Sequence, residues 1–310
     1  MNRNLLLGMG AGLAAGALWG LVFIAPKLMG DFAPPQIAAT RYLIYGLIAL
    51  PLLIPGWRDL NAKLSRRDWV ALAWLGLSGN IVYYICLAVA VQFAGPAPAS
   101  LIVGMLPVVI TLVGVRDAGA VPLKPLLPSL FLAVIGVALI SFQSVALAPG
   151  GWQRQALGLL AACGALACWA IYAVFNTRAI ARLPSVSSQD WSLLLGLVTA
   201  IECVALALPA FLLWPFAHEP DAWLRFLGVS TGIAILASVI GNGLWNSASR
   251  RLPLTMTGQL VVFETLFALV YSFAFEHRWP TRIELAAIGA LLAGVWWCAA
   301  LHRYRPPAQG

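Results

Sequence analysis

Apolar residues run through this chain in stretches of roughly twenty, separated by short polar breaks that carry Pro, Gly and charge. The stretches fall at roughly 5–29, 36–55, 69–91, 97–115, 126–146, 156–178, 191–215, 224–246, 255–275 and 284–301. An α-helix rises about 1.5 Å per residue, so about 20 apolar residues cross the hydrocarbon core of a bilayer. The pattern therefore predicts an all-α membrane protein of ten transmembrane helices, with its shortest connections near 30–35 and 92–96. The first stretch follows Arg3 as a signal peptide would, yet it runs through Trp19 to Lys27. That is too long for an h-region, and it is expected to remain as the first span.

The second half of the chain repeats the first. Ala17-Leu18-Trp19-Gly20 recurs as Ala167-Cys168-Trp169-Ala170, and Pro34 recurs as Pro184. Gly79-Asn80 recurs as Gly241-Asn242, and the run from Ala133 to Leu139 matches that from Ala286 to Leu292. Five helices is an odd number, so a second unit of five enters the membrane the other way up. Inverted repeats of this kind are common in secondary transporters, with the substrate site at the interface between halves. The expected organisation is one repeat over residues 1–150 and another over 151–310, around a central cavity.

Composition agrees with that picture. Hydrophobic residues make up 61% of the chain and charged residues 10%, with a mean hydropathy of +0.88. Such a chain has too little polar surface for a soluble domain. No G-x-x-x-x-G-K-S/T phosphate-binding loop occurs, which argues against an ATP-driven pump. The net charge of +8 is a topology signal rather than a sign of nucleic-acid binding. With the N-terminus inside, thirteen Lys and Arg fall on the cytoplasmic side and five (Lys27, Arg154, Arg225, Arg278, Arg282) on the other. The positive-inside rule then places both termini in the cytoplasm. Arg41 lies within a span, near its outer end, so no basic residue stands deep in the membrane awaiting a substrate carboxylate. The cysteines (Cys86, Cys163, Cys168, Cys203 and Cys298) all lie inside spans and read as small apolar fillers.

Several of these motifs are similar to those of EamA-type permeases of the drug/metabolite transporter superfamily, along essentially the whole chain. They are Trp19-Gly20, Lys27, Pro34-Pro35 and Arg41 at the start, and Glu276 with Gly289 before Leu292-Ala293-Gly294-Val295 at the end. The first repeat departs from the pattern, with Leu123 where the glutamate would stand, and the ninth helix has Glu264-Thr265 in place of the family's frequent E-P. Within the superfamily the chain looks closest to YddG-type aromatic amino-acid exporters. Ile85-Cys86-Leu87-Ala88, Gly104-Met105, Trp169-Ala170 with Tyr172 and Asn176, and Trp245-Asn246 carry that resemblance. It implies export of small metabolites, amino acids among them, across a bacterial inner membrane by alternating access, without a cofactor. A multidrug exporter and a passive channel are the alternatives.

Polar and aromatic residues at membrane depth mark the candidate site. Asn80, Tyr83 and Tyr84 share one helical face, as do Asn242, Trp245 and Asn246 with Ser249, and Trp169, Tyr172 and Asn176. An amide facing lipid would be unsatisfied at a cost of several kcal/mol, so these faces should turn inward. Inward means either a helix–helix hydrogen bond or a wet cavity. The cavity is preferred because symmetry-related helices both carry such faces. With Trp19, Met105 and Gln259 these residues form the expected substrate-binding set. Tyr42, Tyr45, Trp57, Trp214 and Trp279 read as interface or packing aromatics. Two carboxylates lie mid-span, where such groups usually face the protein interior. Glu264 has polar neighbours in Thr257 and Gln259 and is the proton-coupling candidate; Glu202 sits among apolar residues. The stripe Gly8, Gly12, Gly16, Gly20 suits close helix packing, and Pro107 should kink or break the fourth span. The three histidines lie at or beyond span ends, so no catalytic or metal cluster forms, and an enzyme is disfavoured. The expected partners are the lipid bilayer, an amino acid or similar amphipathic substrate, and protons; a monomer would suffice.

Overall fold

A computed structural model describes residues 3–113, 123–146, 151–215, 217–252 and 254–303. The side chains of Thr257, Gln259 and Cys298 lie outside the described residues. Regular structure among the described residues is entirely helical. In chain order the helices are α1 (Asn4–Leu28), α2 (Pro34–Ala62), α3 (Arg66–Ala94) and α4 (Pro96–Val103, resuming as Leu106–Val113). They continue as α5 (Leu123–Ala146), α6 (Trp152–Ala181), α7 (Ser188–Leu213), α8 (Pro220–Arg251), α9 (Leu254–Phe275) and α10 (Arg282–Arg303). Within the described residues seven stretches are long and apolar enough to cross a membrane, those of α1, α2, α3, α5, α6, α7 and α8. Pro96–Ile110 and Leu260–Phe275 are shorter apolar helices.

Local chemistry sets the ends. Ser65 and Asp68 form a reciprocal cap at the start of α3, and Ser187 accepts from the Asp190 N–H at the start of α7. Both satisfy backbone donors that a helix leaves free at its first turn. Pro34 and Pro220 occupy first-turn positions, where a missing N–H costs nothing. Gly95 and Gly151, at φ +96° and +87°, supply the left-handed turns that let α4 and α6 start abruptly. The break expected from Pro107 falls at Gly104-Met105, just before the proline, which then sits in the first turn of the resumed helix.

The outer faces are apolar: Leu47, Phe142, Leu212 and Leu224 are 70–74% exposed. Water would penalise such a surface, whereas lipid does not, so the helices are held together by close packing of small residues rather than by burial from water. A Cβ added at Gly12 would collide with Leu260 of α9; at Gly16 and Gly20 it would lie 3.0 and 2.9 Å from the backbone nitrogens of Glu264 and Ala268. The glycine stripe of α1 is therefore the seat of α9. Likewise Gly46 of α2 meets Ala200 of α7, and Gly196 of α7 meets the Tyr45 ring.

The packing partners follow a pattern. Helix α1 lies against α8 and α9, and α6 lies against α3 and α4; α2 pairs with α7, and α5 with α10. Two helices share a defect the periodicity does not reveal. In α3 the turn Gly76–Val82, and in α8 the turn Ala234–Gly241, are wound as wider π-helix. Each ends at a Gly-Asn pair or just beyond it. One sequence match is not mirrored in contacts. Gly136 packs on the Ala287 carbonyl of α10, whereas Gly289 faces open space.

Candidate functional site

The widened turns open space for aromatic rings from the facing helices. Gly79, in the π-turn of α3, has no side chain where the Tyr172 ring of α6 lies. Gly241, at the end of the π-turn of α8, does the same for Trp19 of α1, whose Nε1 would be 2.9 Å from an added Cβ. The Trp19 indole N–H donates to Ala237 O at 3.0 Å, a carbonyl of the widened turn that also accepts from the Asn242 N–H.

Around these contacts the aromatic residues form one cluster. The ring of Trp19 is 5.4 Å from Trp169 and 5.0 Å from Trp245; Trp169 is 5.2 Å from Tyr172 and 6.2 Å from Tyr83, mostly edge to face. Each pair adds about 0.5–1.5 kcal/mol beyond area burial. Beside the cluster is a cavity of about 40 Å³ whose lining includes Trp19, Asn80, Tyr83, Trp169, Tyr172 and Asn242. Arg41, Tyr42 and Glu264 complete its polar wall. Space of this size holds a few water molecules, against roughly 300 Å³ or more for a typical ligand pocket.

Arg41, absent from the expected set, is 6% exposed and lines the cavity. Helix α2 begins at Pro34, so Arg41 stands about two turns inside it. Its Nε and Nη2 donate to the Ser238 hydroxyl at 3.2 and 3.1 Å, and the guanidinium carbon lies 4.2 Å from the Tyr84 ring centre and 5.0 Å from that of Tyr42. Nη1 is buried without a hydrogen-bond partner. Tyr42, expected at the interface or in packing, is buried and lines the cavity. The legible signal was the order Pro34, Arg41, Tyr42: a proline fixing a helix start two turns before a cation.

The expected set divides. Trp19, Asn80, Tyr83, Trp169, Tyr172, Asn242 and Glu264 converge on the cavity. Glu264 is 3% exposed and its Oε2 has no hydrogen-bond partner. Trp245 backs Trp19, and Tyr84 lies beneath the Arg41 guanidinium, so both support the wall from behind. Asn176 and Asn246 are used up in a separate network. Trp191 donates to Asn176 Oδ1 at 2.8 Å, and Asn246 Nδ2 donates to Ser192 Oγ at 2.9 Å; the two amides face each other at 3.4 Å. Tyr45 O–H closes this network on the Ser192 carbonyl at 2.5 Å. These amides meet helix–helix partners, the other outcome weighed for them. Met105 is half-buried in a second apolar cluster with Leu101, Leu269 and Leu291, and Glu202 lies near Gly76 and Thr199. Neither lines the cavity.

Two wider openings lie at opposite ends of α1. One of about 920 Å³ includes Asn4, Ser187, Gln189, Arg250 and Arg251. The other, about 420 Å³, includes Lys27, Arg154, Glu276, Arg278 and Glu284. There Arg278 grips Glu284 through two bonds of 2.7 Å and Glu276 through one of 2.6 Å. The bonds to Glu284 hold the guanidinium proton more firmly than usual, raising its pKa.

The EamA-like transporter family matches this sequence twice, over residues 6–142 and 156–299. The chain belongs to that family. It is 35% identical to the inner membrane protein YtfF of Escherichia coli K12 over 300 residues, covering 91% of this chain and 92% of YtfF. The threonine/homoserine exporter RhtA of the same strain is 27% identical, over 91% of this chain and 87% of RhtA. The aromatic amino acid exporter YddG of Ancylobacter novellus is 26% identical, over 85% and 88%. The likeness to YddG is thus real but more distant than that to YtfF. A solved crystal structure at 21% identity superposes with a TM-score of 0.66 over 96% of this chain and 98% of the other, which shows a common fold. As an EamA-like transporter the chain is a multi-pass membrane protein, and its relatives are transporters and exporters.

Proposed function

We propose that this EamA-like protein is a secondary transporter that exports small amphipathic metabolites, amino acids including aromatic ones, across the bacterial inner membrane by alternating access. The observation that carries this reading is the small central cavity. It is walled by aromatic rings from α1, α3 and α6 and carries polar groups from α2, α8 and α9. Aromatic faces suit an apolar side chain, and the polar groups fix the other end of an amphipathic solute. Wider openings at both ends of α1, with a constriction near Trp19, suit a carrier seen closed rather than a passive channel.

The finer architecture proposed is ten spans in two inverted five-helix halves, residues 1–150 and 151–310, with both termini cytoplasmic. Support comes from the packing pairs, which exchange when five is added to each helix number: α1 with α8 and α9 becomes α6 with α3 and α4. The paired π-turns of α3 and α8 and the two family matches support it as well. Glu264, unpartnered in the cavity wall, is the proposed proton-coupling group.

Counterflow in proteoliposomes tests the function. Vesicles preloaded with an unlabelled amino acid should transiently accumulate the labelled one above equilibrium. A channel would only equilibrate it. Absence of amino-acid counterflow, with counterflow of cationic drugs instead, would move the protein to the multidrug class.

A further inference from the structure

The cavity contains two buried groups of opposite chemical character, and neither is fully satisfied by the protein. Arg41 on α2 and Glu264 on α9 both line it, at 6% and 3% exposure. Arg41 Nη1 and Glu264 Oε2 lack hydrogen-bond partners, and no ion pair joins the two residues among those described. A guanidinium has five donors in a fork that matches a carboxylate. Here the Ser238 hydroxyl takes two of them on one side, which fixes the plane of the fork. The Tyr84 and Tyr42 rings lie against the guanidinium, and the Tyr84 hydroxyl is near it but makes no hydrogen bond to Nη1. A buried cation left in this condition is costly, and a bound anion removes the cost.

We propose that the cavity is a bipolar receptor in which Arg41 binds a substrate carboxylate and ionised Glu264 binds the ammonium of the same molecule, so that its ligands are free α-amino acids with both charges intact. This rests on reading the cavity as the substrate site. A simple organic cation would leave Arg41 unmatched and be repelled by it. A simple anion would do the same at Glu264. A zwitterion satisfies both, and the Trp19–Trp169–Tyr172 wall receives its side chain once the helices part to enlarge the space.

The test is ligand-dependent thermal unfolding of the full-length protein in detergent, which requires no transport. The twenty common amino acids are screened, and the one giving the largest rise in unfolding midpoint is compared with its amide and with its deaminated acid. Each analogue should need at least tenfold more ligand for the same shift. Arg41→Gln should bring the amide to within twofold of the parent amino acid while the deaminated acid stays disfavoured. Glu264→Gln should do the reverse. The proposal is overturned if no amino acid shifts the midpoint, or if either analogue matches its parent in the unaltered protein, a comparison that needs no variant to fold. Counterflow of the same amino acid separates the two readings. Charge-selective binding without counterflow removes the carrier, whereas counterflow of solutes lacking one charge removes the bipolar receptor and leaves the carrier standing.

Discussion

The indole N–H of Trp19 reaches the carbonyl of Ala237 at 3.0 Å, joining the first apolar helix to the widened turn of the eighth. The bond exists because Gly241 has no side chain in the way. On the other side of the cavity Gly79 makes the same kind of room for Tyr172. Each of these two contacts thus combines a helix defect, a glycine and an aromatic ring.

Gly79→Ala and Gly241→Ala should therefore be far more damaging than Ala substitutions elsewhere in these helices. Overpacking of a tight site costs about 1–3 kcal/mol. Gly79→Ala should be the worse of the two, since its Cβ falls on the Tyr172 ring itself. Both proteins should insert, with lowered unfolding midpoints and reduced counterflow. As a control, Gly289→Ala, which meets open space, should leave both measurements unchanged.

Topology is checked by labelling. Ser65 and Ala217 are exposed, just outside α3 and α8. In a cysteine-free background, Ser65→Cys should react with a membrane-impermeant maleimide only from the cytoplasmic face, and Ala217→Cys only from the outer face. Labelling from the same side contradicts the inverted arrangement.

Energy coupling is checked at Glu264. The substitution Glu264→Gln keeps the shape of the protonated acid but can neither release nor take up a proton. If this residue couples transport to protons, the variant should lose movement driven by a pH gradient, while exchange persists only at the higher substrate concentration that loss of the ammonium contact demands. Unchanged gradient-driven transport would make Glu264 structural and place the coupling on another group.

The Arg278–Glu284 latch concerns stability. The Glu284 side chain is 3% exposed, so removing Arg278 strands a buried carboxylate, while the 37% exposure of Arg278 screens part of the loss. Arg278→Ala should cost on the order of 2 kcal/mol, between the exposed and buried cases. Glu284→Gln, which leaves no buried charge, should cost less. Thermal unfolding in detergent measures both.

Much of this was legible in the sequence because membrane helices obey a simple length rule, and polar side chains at that depth must turn inward. Asn80, Trp169 and Asn242 were placed on inward faces by that reasoning alone, and the glycine stripe of α1 was read correctly as a packing seat. Family membership was legible too, since Trp19-Gly20, Lys27 and Arg41 keep their spacing. What periodicity could not distinguish was an amide that lines a cavity from one that is satisfied by a neighbour. Asn176 and Asn80 look alike in sequence, yet Asn176 is engaged by Trp191 and Asn246, whereas Asn80 reaches the cavity wall while bonded to Thr199. The burial of Arg41 was likewise decided in three dimensions. A cation two turns from a helix start is exposed or buried according to what packs over it, and here Ser238 and Tyr84, far away in sequence, enclose it. The sequence determined which side chains cannot face lipid. Only the tertiary structure decided which of them are satisfied by one another and which remain without a partner, because a hydrogen bond depends on the partner's position to within a few tenths of an ångström.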